Sequence, residues 1–409
     1  MTAIYQNTVK LEPTNITAAS FKADPFTTFK RWRDTKPVVP VKVLGQRAWI
    51  VTRYNDVQAA LKDERLVKNK RNARDAGTKD KAPWMPGFLK PLEQNMLDLD
   101  GTDHTRLRSL VHQAFTPQLI GRMQHRIHSL AHELIDRAEG KGQMDLVYDF
   151  ALQVPMTIIS EILGIPERDR PNFHRWSSAA VSISTPLDGL FAMPALYQFV
   201  RFLRRLIREH QIEPKDDLTS ALVQAEAEGS RLSEDELIAM VTILLIAGHE
   251  TTVNLIGNGA LALLEDPEQL ERLRTEPTLM KTAVEELTRF TAPVMLATER
   301  YARENLEIAG VSIPKGELVF AALGSANRDE TMFEQPDKLL LDRISNKHLG
   351  FGQGVHYCVG APLARLEVST AFQVLLERLP NLRLAVKPET LHWNPALVTR
   401  GLKALPVKF

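Results

Sequence analysis

Cysteine is almost missing from this chain: Cys358 is the only one in 409 residues. A single thiol excludes an internal disulfide framework and any metal cage built from several cysteines. An excess of one charge is also missing, since 51 Lys+Arg stand against 50 Asp+Glu for a net charge of +1. That balance gives no footing to nucleic-acid binding. Long hydrophobic runs are absent as well. Met1 to Ser20 is mixed and polar, without the apolar core of a signal peptide or an anchor. The most apolar segment, Leu237 to Gly248, is shorter than the roughly 20 residues that span a bilayer. No repeat and no low-complexity linker interrupts the chain. What remains, 44% hydrophobic and 25% charged residues, is the composition of an ordinary globular protein. The expectation is a soluble cytoplasmic protein with no membrane anchor. Length alone allows two or three average domains, but the texture reads as one domain over residues 1–409, with no room for a fused reductase.

Val38 to Leu44 and Arg47 to Thr52 flank Gly45-Gln46 as a hairpin, and a short helix is expected from Asp56 to Leu61. An irregular stretch from about Val67 to Asp100 contains Lys81-Ala82-Pro83-Trp84-Met85-Pro86-Gly87-Phe88. Loops of that length in a compact fold are functional or disordered. Helical patterning dominates from His104 to Arg289, with breaks expected near Pro166, Pro186 and Pro194. After Pro293 come short strands and turns, Leu306 to Ile313, Pro314-Lys315-Gly316 and Leu318 to Ala322. A last helix, Ala364 to Leu379, precedes a strand-like tail at Leu405-Pro406-Val407. The fold class is mainly α with a smaller β-rich part.

Cys358 lies in the run Phe351-Gly352-Gln353-Gly354-Val355-His356-Tyr357-Cys358-Val359-Gly360. Gly352, Gly354 and Gly360 free the backbone and clear side chains from the approach of something flat. Ala361 to Glu367 reads as a helix with Pro362 in its first turn, so Cys358 precedes a helix N-terminus, where amide donors favour thiolate over thiol. A lone thiol serves as a nucleophile, as a sole metal ligand, or as a small buried hydrophobe. The nucleophile reading needs a base, and His356, two residues away, is poorly placed to act as one.

Ser233-Glu234-Asp235-Glu236 carries a capping box and opens a long helix that is apolar on nearly all sides. Its middle, Ala247-Gly248-His249-Glu250-Thr251-Thr252, is polar and weakly helix-forming. Thr251 is expected to bond a carbonyl one turn back. A polar patch inside an apolar helix marks function. His249-Glu250 is not the start of a zinc-protease motif, because position 253 is Val.

The loop at 351–360 resembles the haem-binding loop of the cytochrome P450 family, Phe-Gly-x-Gly-x-His/Arg-x-Cys-x-Gly, at every fixed position. The hexapeptide Ala247 to Thr252 resembles that family's distal motif, Ala/Gly-Gly-x-Asp/Glu-Thr-Thr/Ser. Together with segments at 104–108 and 286–289 these occur in family order, so the resemblance covers nearly the whole chain. It implies the cytochrome P450 fold, with haem b (iron protoporphyrin IX) between a long distal helix and the proximal Cys-ligand loop and helix. Cys358 would be the axial metal ligand. Phe351, Gly352 and Gly360 on one side, and Ala247 and Gly248 on the other, would border the cofactor. Thr251 would hydrogen-bond dioxygen and Glu250 would relay protons, because splitting O–O heterolytically needs protons delivered to the distal oxygen. His104, Arg108, Arg300 and His356 would pair with the haem propionates. Gly101-Thr102 stands where the family often has Pro-Pro. Glu286, Arg289 and Arg343 would form a structural ion network, although the aromatic often found near Leu339-Leu340 is missing.

Ile243, Ala247 and Thr251 share a helix face and are expected to line a substrate pocket, joined by Met96, Leu97, Leu296, Leu397 and Val398. These apolar side chains point to a hydrophobic substrate, of steroid, terpenoid, fatty-acid or macrolide-like type. The resemblance implies monooxygenation with O2 and electrons from a ferredoxin or flavodoxin and its NAD(P)H-dependent reductase. Arg106, Arg122, Lys347 and Arg365 are candidates for a basic docking patch on a monomeric protein. The alternatives are a peroxide-driven peroxygenase or a non-catalytic haem-based gas sensor.

Overall fold

Ser233 caps the helix around which everything else is arranged. Its Oγ accepts from the Glu236 amide at 3.2 Å, and Glu236 Oε2 accepts from the Ser233 amide at 2.8 Å. The helix then runs unbroken from Glu234 to Leu264, 31 residues, or about 46 Å at 1.5 Å per residue. By length and composition it is apolar enough to cross a membrane, a longer apolar span than the sequence reading allowed. The reason for its apolarity is packing on several sides, against the helices Gln153–Ile162, Pro186–Ile212, Met280–Thr291 and Ala361–Arg378. Gly259 lets the last of these come close, since a Cβ there would meet the Phe372 ring at 3.0 Å.

The computed structural model describes residues 10–409 apart from 44, 76–85, 94, 182–185 and 228–229. Most of the segment Lys81 to Phe88 singled out in the sequence therefore lies outside the described residues. Around it, the irregular stretch carries a short strand, Leu66–Val67, and two 3-10 turns, Lys70–Ala73 and Gly87–Glu93.

The β-rich part is a five-stranded mixed sheet in the order Val38–Val43, Gln46–Val51, Leu318–Ala321, Arg300–Ala302, Leu66–Val67. The first two strands form the expected hairpin, with Val38 opposite Val51. The third lies parallel to the second. The helix read as Asp56 to Leu61 spans Tyr54–Lys62, and the last helix spans Ala361–Arg378 with Pro362 in its first turn.

Two expectations fail within the helical region. Pro194 does not break its helix, which continues from Pro186 to Ile212. Ala192, Leu196 and Val200 are buried on either side of the proline with Leu89, and this packing outweighs the lost amide donor. Gln143–Asp145 is a strand, paired with Pro406–Lys408 of the tail. Three residues are too few to show a period, and only the distant partner fixes them.

Candidate functional site

The loop before the last helix turns twice on glycine. Gly352 has φ +70° and Gly354 φ +74°, and a Cβ on Gly354 would lie 3.0 Å from the Leu61 carbonyl. The loop closes through the Cys358 amide, which donates to the Phe351 carbonyl at 2.9 Å. Arg365 clamps it from below. Its guanidinium lies 4.3 Å from the Phe351 ring centroid and donates to both oxygens of Glu285, at 2.6 and 2.9 Å.

Cys358 is open to an internal cavity while protein surrounds it on its other sides. Burial pushes its thiol above the ordinary value. The amides of Gly360 and Ala361 and the charges of Arg108 and Arg365 pull the other way, as the helix N-terminus led one to expect, but burial outweighs them. The free protein therefore holds a thiol here, and a bound metal ion would select the thiolate.

That cavity, about 390 Å³, joins most of the residues singled out in the sequence. One wall carries Phe351, Gly352, Cys358 and Gly360; the other is the central helix at Ile243, Ala247, Gly248, Glu250 and Thr251. Met96, Leu97 and Val398 reach it as expected, beside Leu244, Val294 and Ala297, which the sequence reading missed. Leu296 and Leu397 do not reach it. Leu296 is fully buried in the core of the β-rich part, and Leu397 packs against the same core. In both segments neighbouring residues divide between cavity and core, Leu296 from Ala297 and Leu397 from Val398, a division that spacing alone does not phase.

On the rim, His104, Arg108, Arg300 and His356 converge. The His104 and His356 rings are 4.3 Å apart, and His104 Nε2 is buried with no partner. Burial, reinforced by His104, Lys68, Arg300 and Arg108, pushes His356 down to about 3. Burial likewise lowers Arg300 to about 10 and Lys68 to about 7. Lys68 is a fifth basic group of this cluster, held by the carbonyl of Glu299 at 2.7 Å. Sequence reading passed over it because it stands in the irregular stretch, with no periodicity to aim it.

On the central helix, Thr251 Oγ1 donates to the Ala247 carbonyl at 2.9 Å, the back-bond anticipated from sequence. Glu250 Oε1 accepts from Thr399 Oγ1 at 2.7 Å. The Glu286 carboxylate receives Arg289 at 2.8 Å and Arg343 at 3.0 Å, with Asn346 at 3.1 Å. Glu367, on the helix behind Cys358, is an unforeseen feature. No hydrogen bond of good geometry reaches either carboxyl oxygen. Burial pushes it up to about 8, against a weak opposing pull from Thr252.

The sequence profile of the family described as Cytochrome P450 matches residues 15–400. This chain belongs to the cytochrome P450 family.

Among its relatives is the polyketide biosynthesis cytochrome P450 PksS of Bacillus subtilis, 42% identical over 391 residues, covering 95% of this chain and 96% of that protein. The solved structure of PksS superposes with a TM-score of 0.90 at 40% identity, covering 97% of this chain and 99% of that one. The 6-deoxyerythronolide B hydroxylase of Saccharopolyspora erythraea is 39% identical over 394 residues, 95% of this chain and 97% of that protein. P450BioI, solved in complex with an acyl carrier protein ligated to hexadec-9Z-enoic acid, superposes with a TM-score of 0.85 at 36% identity, covering 96% and 100%.

This P450 is a haem-thiolate monooxygenase with haem b as its cofactor. Its residues fit that group in two ways. A single thiol, Cys358, faces the cavity. His104, Arg108, Arg300 and His356 gather on the rim with the His104 Nε2 atom buried and unpartnered, and Lys68 stands behind them, a cationic cluster suited to anionic groups.

Proposed function

We propose that this P450 hydroxylates a hydrophobic acyl or macrolide-like molecule at an unactivated carbon. The observation that carries the reading is one cavity that brings Cys358 together with Thr251 and the apolar wall Ile243, Leu244, Ala297 and Val398. An apolar wall with few polar groups recognises shape and hydrophobic surface. Relatives named for polyketide biosynthesis and for a macrolactone, and one bound to an acyl carrier protein, favour the same substrate class.

Haem, when bound, supplies the iron at which O2 is activated with two electrons, one oxygen atom passing to substrate and the other to water. Cys358 Sγ would be the protein ligand of the iron. His104, Arg108, Arg300, His356 and Lys68 would hold the propionates and in doing so relieve their own mutual repulsion. Thr251 Oγ1 donates its hydrogen bond to the Ala247 carbonyl, so its lone pairs are left to accept from water or another hydroxyl. Glu250 is the proton carrier beside it. Glu286, Arg289 and Arg343 are structural.

Electrons come from a ferredoxin or flavodoxin with its NAD(P)H-dependent reductase. The basic patch drawn from sequence does not carry this. Arg106 pairs with Glu236, Arg122 with Asp216 and Arg365 with Glu285, which leaves Lys347. Exposed Val355 and Tyr357 on the cysteine loop, with exposed Lys62 beside Gly354, are the better docking surface. The protein works as a cytoplasmic monomer with one haem unit.

A screen of fatty acids and macrolactones by the haem Soret shift, followed by NADPH turnover with a surrogate ferredoxin system, tests the reading. Hydroxylated product supports it. Binders that are only polar and charged overturn the substrate class. Haem bound with no product returns the sensor alternative, and product from peroxide alone returns the peroxygenase.

A further inference from the structure

Glu250 leaves the central helix half-buried at the cavity wall, and the hydrogen bond recorded for its carboxylate comes from Thr399, 149 residues away. A side chain with three rotatable bonds is aimed by whatever holds its end. The partner here stands on a rigid mount. The Val398 carbonyl accepts from the amides of Met295 and Leu296, at 2.9 and 3.1 Å. Lys22, with no exposed surface, reaches from the N-terminal segment to donate to the carbonyls of Thr399 at 2.9 Å and Leu397 at 3.3 Å.

The next residue closes the mount from the other side. Arg400 lies 3.7 Å over the Trp393 ring and donates to the carbonyls of Lys22, Ala23 and Thr291. Asn258 of the central helix donates to the Arg400 carbonyl at 2.7 Å. Gly401 fixes the register, since a Cβ there would come within 1.7 Å of Asn254 on the central helix. The turn cannot slide along the helix without breaking these bonds, so the Thr399 hydroxyl is delivered to one place.

Burial lowers Lys22 to about 7. Charged or neutral, its amine keeps hydrogens enough to serve both carbonyls.

We propose that Thr399 is the positioning residue for Glu250, holding its carboxylate at the cavity wall, and that Lys22 is the buried anchor that keeps Thr399 in reach. This rests on the reading of Glu250 as proton carrier. It also places a cavity-lining residue, Val398, and the residue that aims the proton carrier, Thr399, on one turn.

The test uses the holoenzyme and four variants: Thr399→Val, which keeps the shape and removes the hydroxyl, Thr399→Ser, Glu250→Gln, and the double variant T399V/E250Q. Carbon monoxide bound to the reduced protein is the probe, because its C–O stretching band senses the polar groups around the distal pocket. NADPH consumption with the surrogate ferredoxin, in H2O and D2O, is the second readout. Thr399→Val is expected to shift or split the band and to slow consumption several-fold, with the thermal midpoint kept. Thr399→Ser is expected to behave as the parent, and the double variant as Glu250→Gln alone. A parent-like band and rate in Thr399→Val, with Glu250→Gln altered, overturns the positioning role only. A Thr399→Val effect that persists undiminished on Glu250→Gln overturns it too. If Glu250→Gln itself changes neither readout, the proton-carrier reading falls and the role of Thr399 falls with it.

Discussion

Glu286 and Arg289 face each other across one helical turn with no exposed surface on either, joined by two hydrogen bonds of 2.8 Å. Arg343 closes on the same carboxylate, and the Leu340 amide donates to it at 3.0 Å. The remaining Arg289 donors go to the carbonyls of Asn327, Pro336 and Lys338. An isolated i, i+3 ion pair on a surface is worth a fraction of a kcal/mol. This one is desolvated and hydrogen-bonded, which makes losing one partner far costlier than the pair's net worth.

Glu286→Ala leaves two buried guanidiniums facing one another. The expected loss is about 3–5 kcal/mol of stability, read as a lower urea midpoint together with poor haem retention on purification. A midpoint equal to the parent's would mean the network is not structural.

The rim cations predict a graded loss of cofactor. A hydrogen bond to a charged group contributes about 1.5–3 kcal/mol. Replacing Arg108 or Arg300 by Leu, or Lys68 by Met, should therefore speed haem transfer to an apo-globin acceptor by roughly 10- to 150-fold. Lys68→Met is the decisive case, and transfer at the parent rate would remove Lys68 from the site.

Thr251→Ala removes the hydroxyl that lines the cavity beside Glu250. Product per NADPH should fall several-fold while NADPH consumption continues, the difference appearing as peroxide. Coupling equal to the parent's would take Thr251 out of the proton path.

Glu367 predicts an unusual pH dependence. Its carboxyl is raised from 4.5 to about 8 by burial, so between those values the folded protein holds a proton that the unfolded chain has released. Its contribution is fully present below about 4.5 and is lost as pH rises towards 8, with a slope of at most about 1.4 kcal/mol per pH unit. Glu367→Gln keeps the neutral shape and should flatten that decline, gaining stability at pH 8 and little at pH 5. Urea melts across this range decide it, and parallel curves for parent and variant would show that the group is not buried as an acid.

Much of the site was legible because its signals are local. A capping box, a glycine-rich run ahead of a helix, and i, i+4 or i, i+3 spacings each fix which residues share a turn or a face. They put Cys358 ahead of a helix and Thr251, His104, Arg108, Glu286 and Arg289 on the turns and faces the structure shows, while the family resemblance supplied their expected roles. Arg343 was reached through family resemblance, and the geometry agrees. The misses share a cause. Leu296 and Leu397 point into the core, Lys68 turns towards the cluster, and Gln143–Asp145 finds a strand partner at the far end of the chain. Each depends on an orientation or a partner that no periodicity records.

The motifs and their order along the chain carried the resemblance to the family, and through it the expected chemistry and the one thiol that can serve it, because residue type and short spacing are enough to mark out a ligand loop and a helix face. Tertiary structure alone decided that Thr399 meets Glu250, that burial raises the Glu367 carboxyl, and that burial outweighs the helix N-terminus at the Cys358 thiol. Desolvation and long-range hydrogen bonds depend on which atoms surround a group in space, and those neighbours come from segments more than a hundred residues apart.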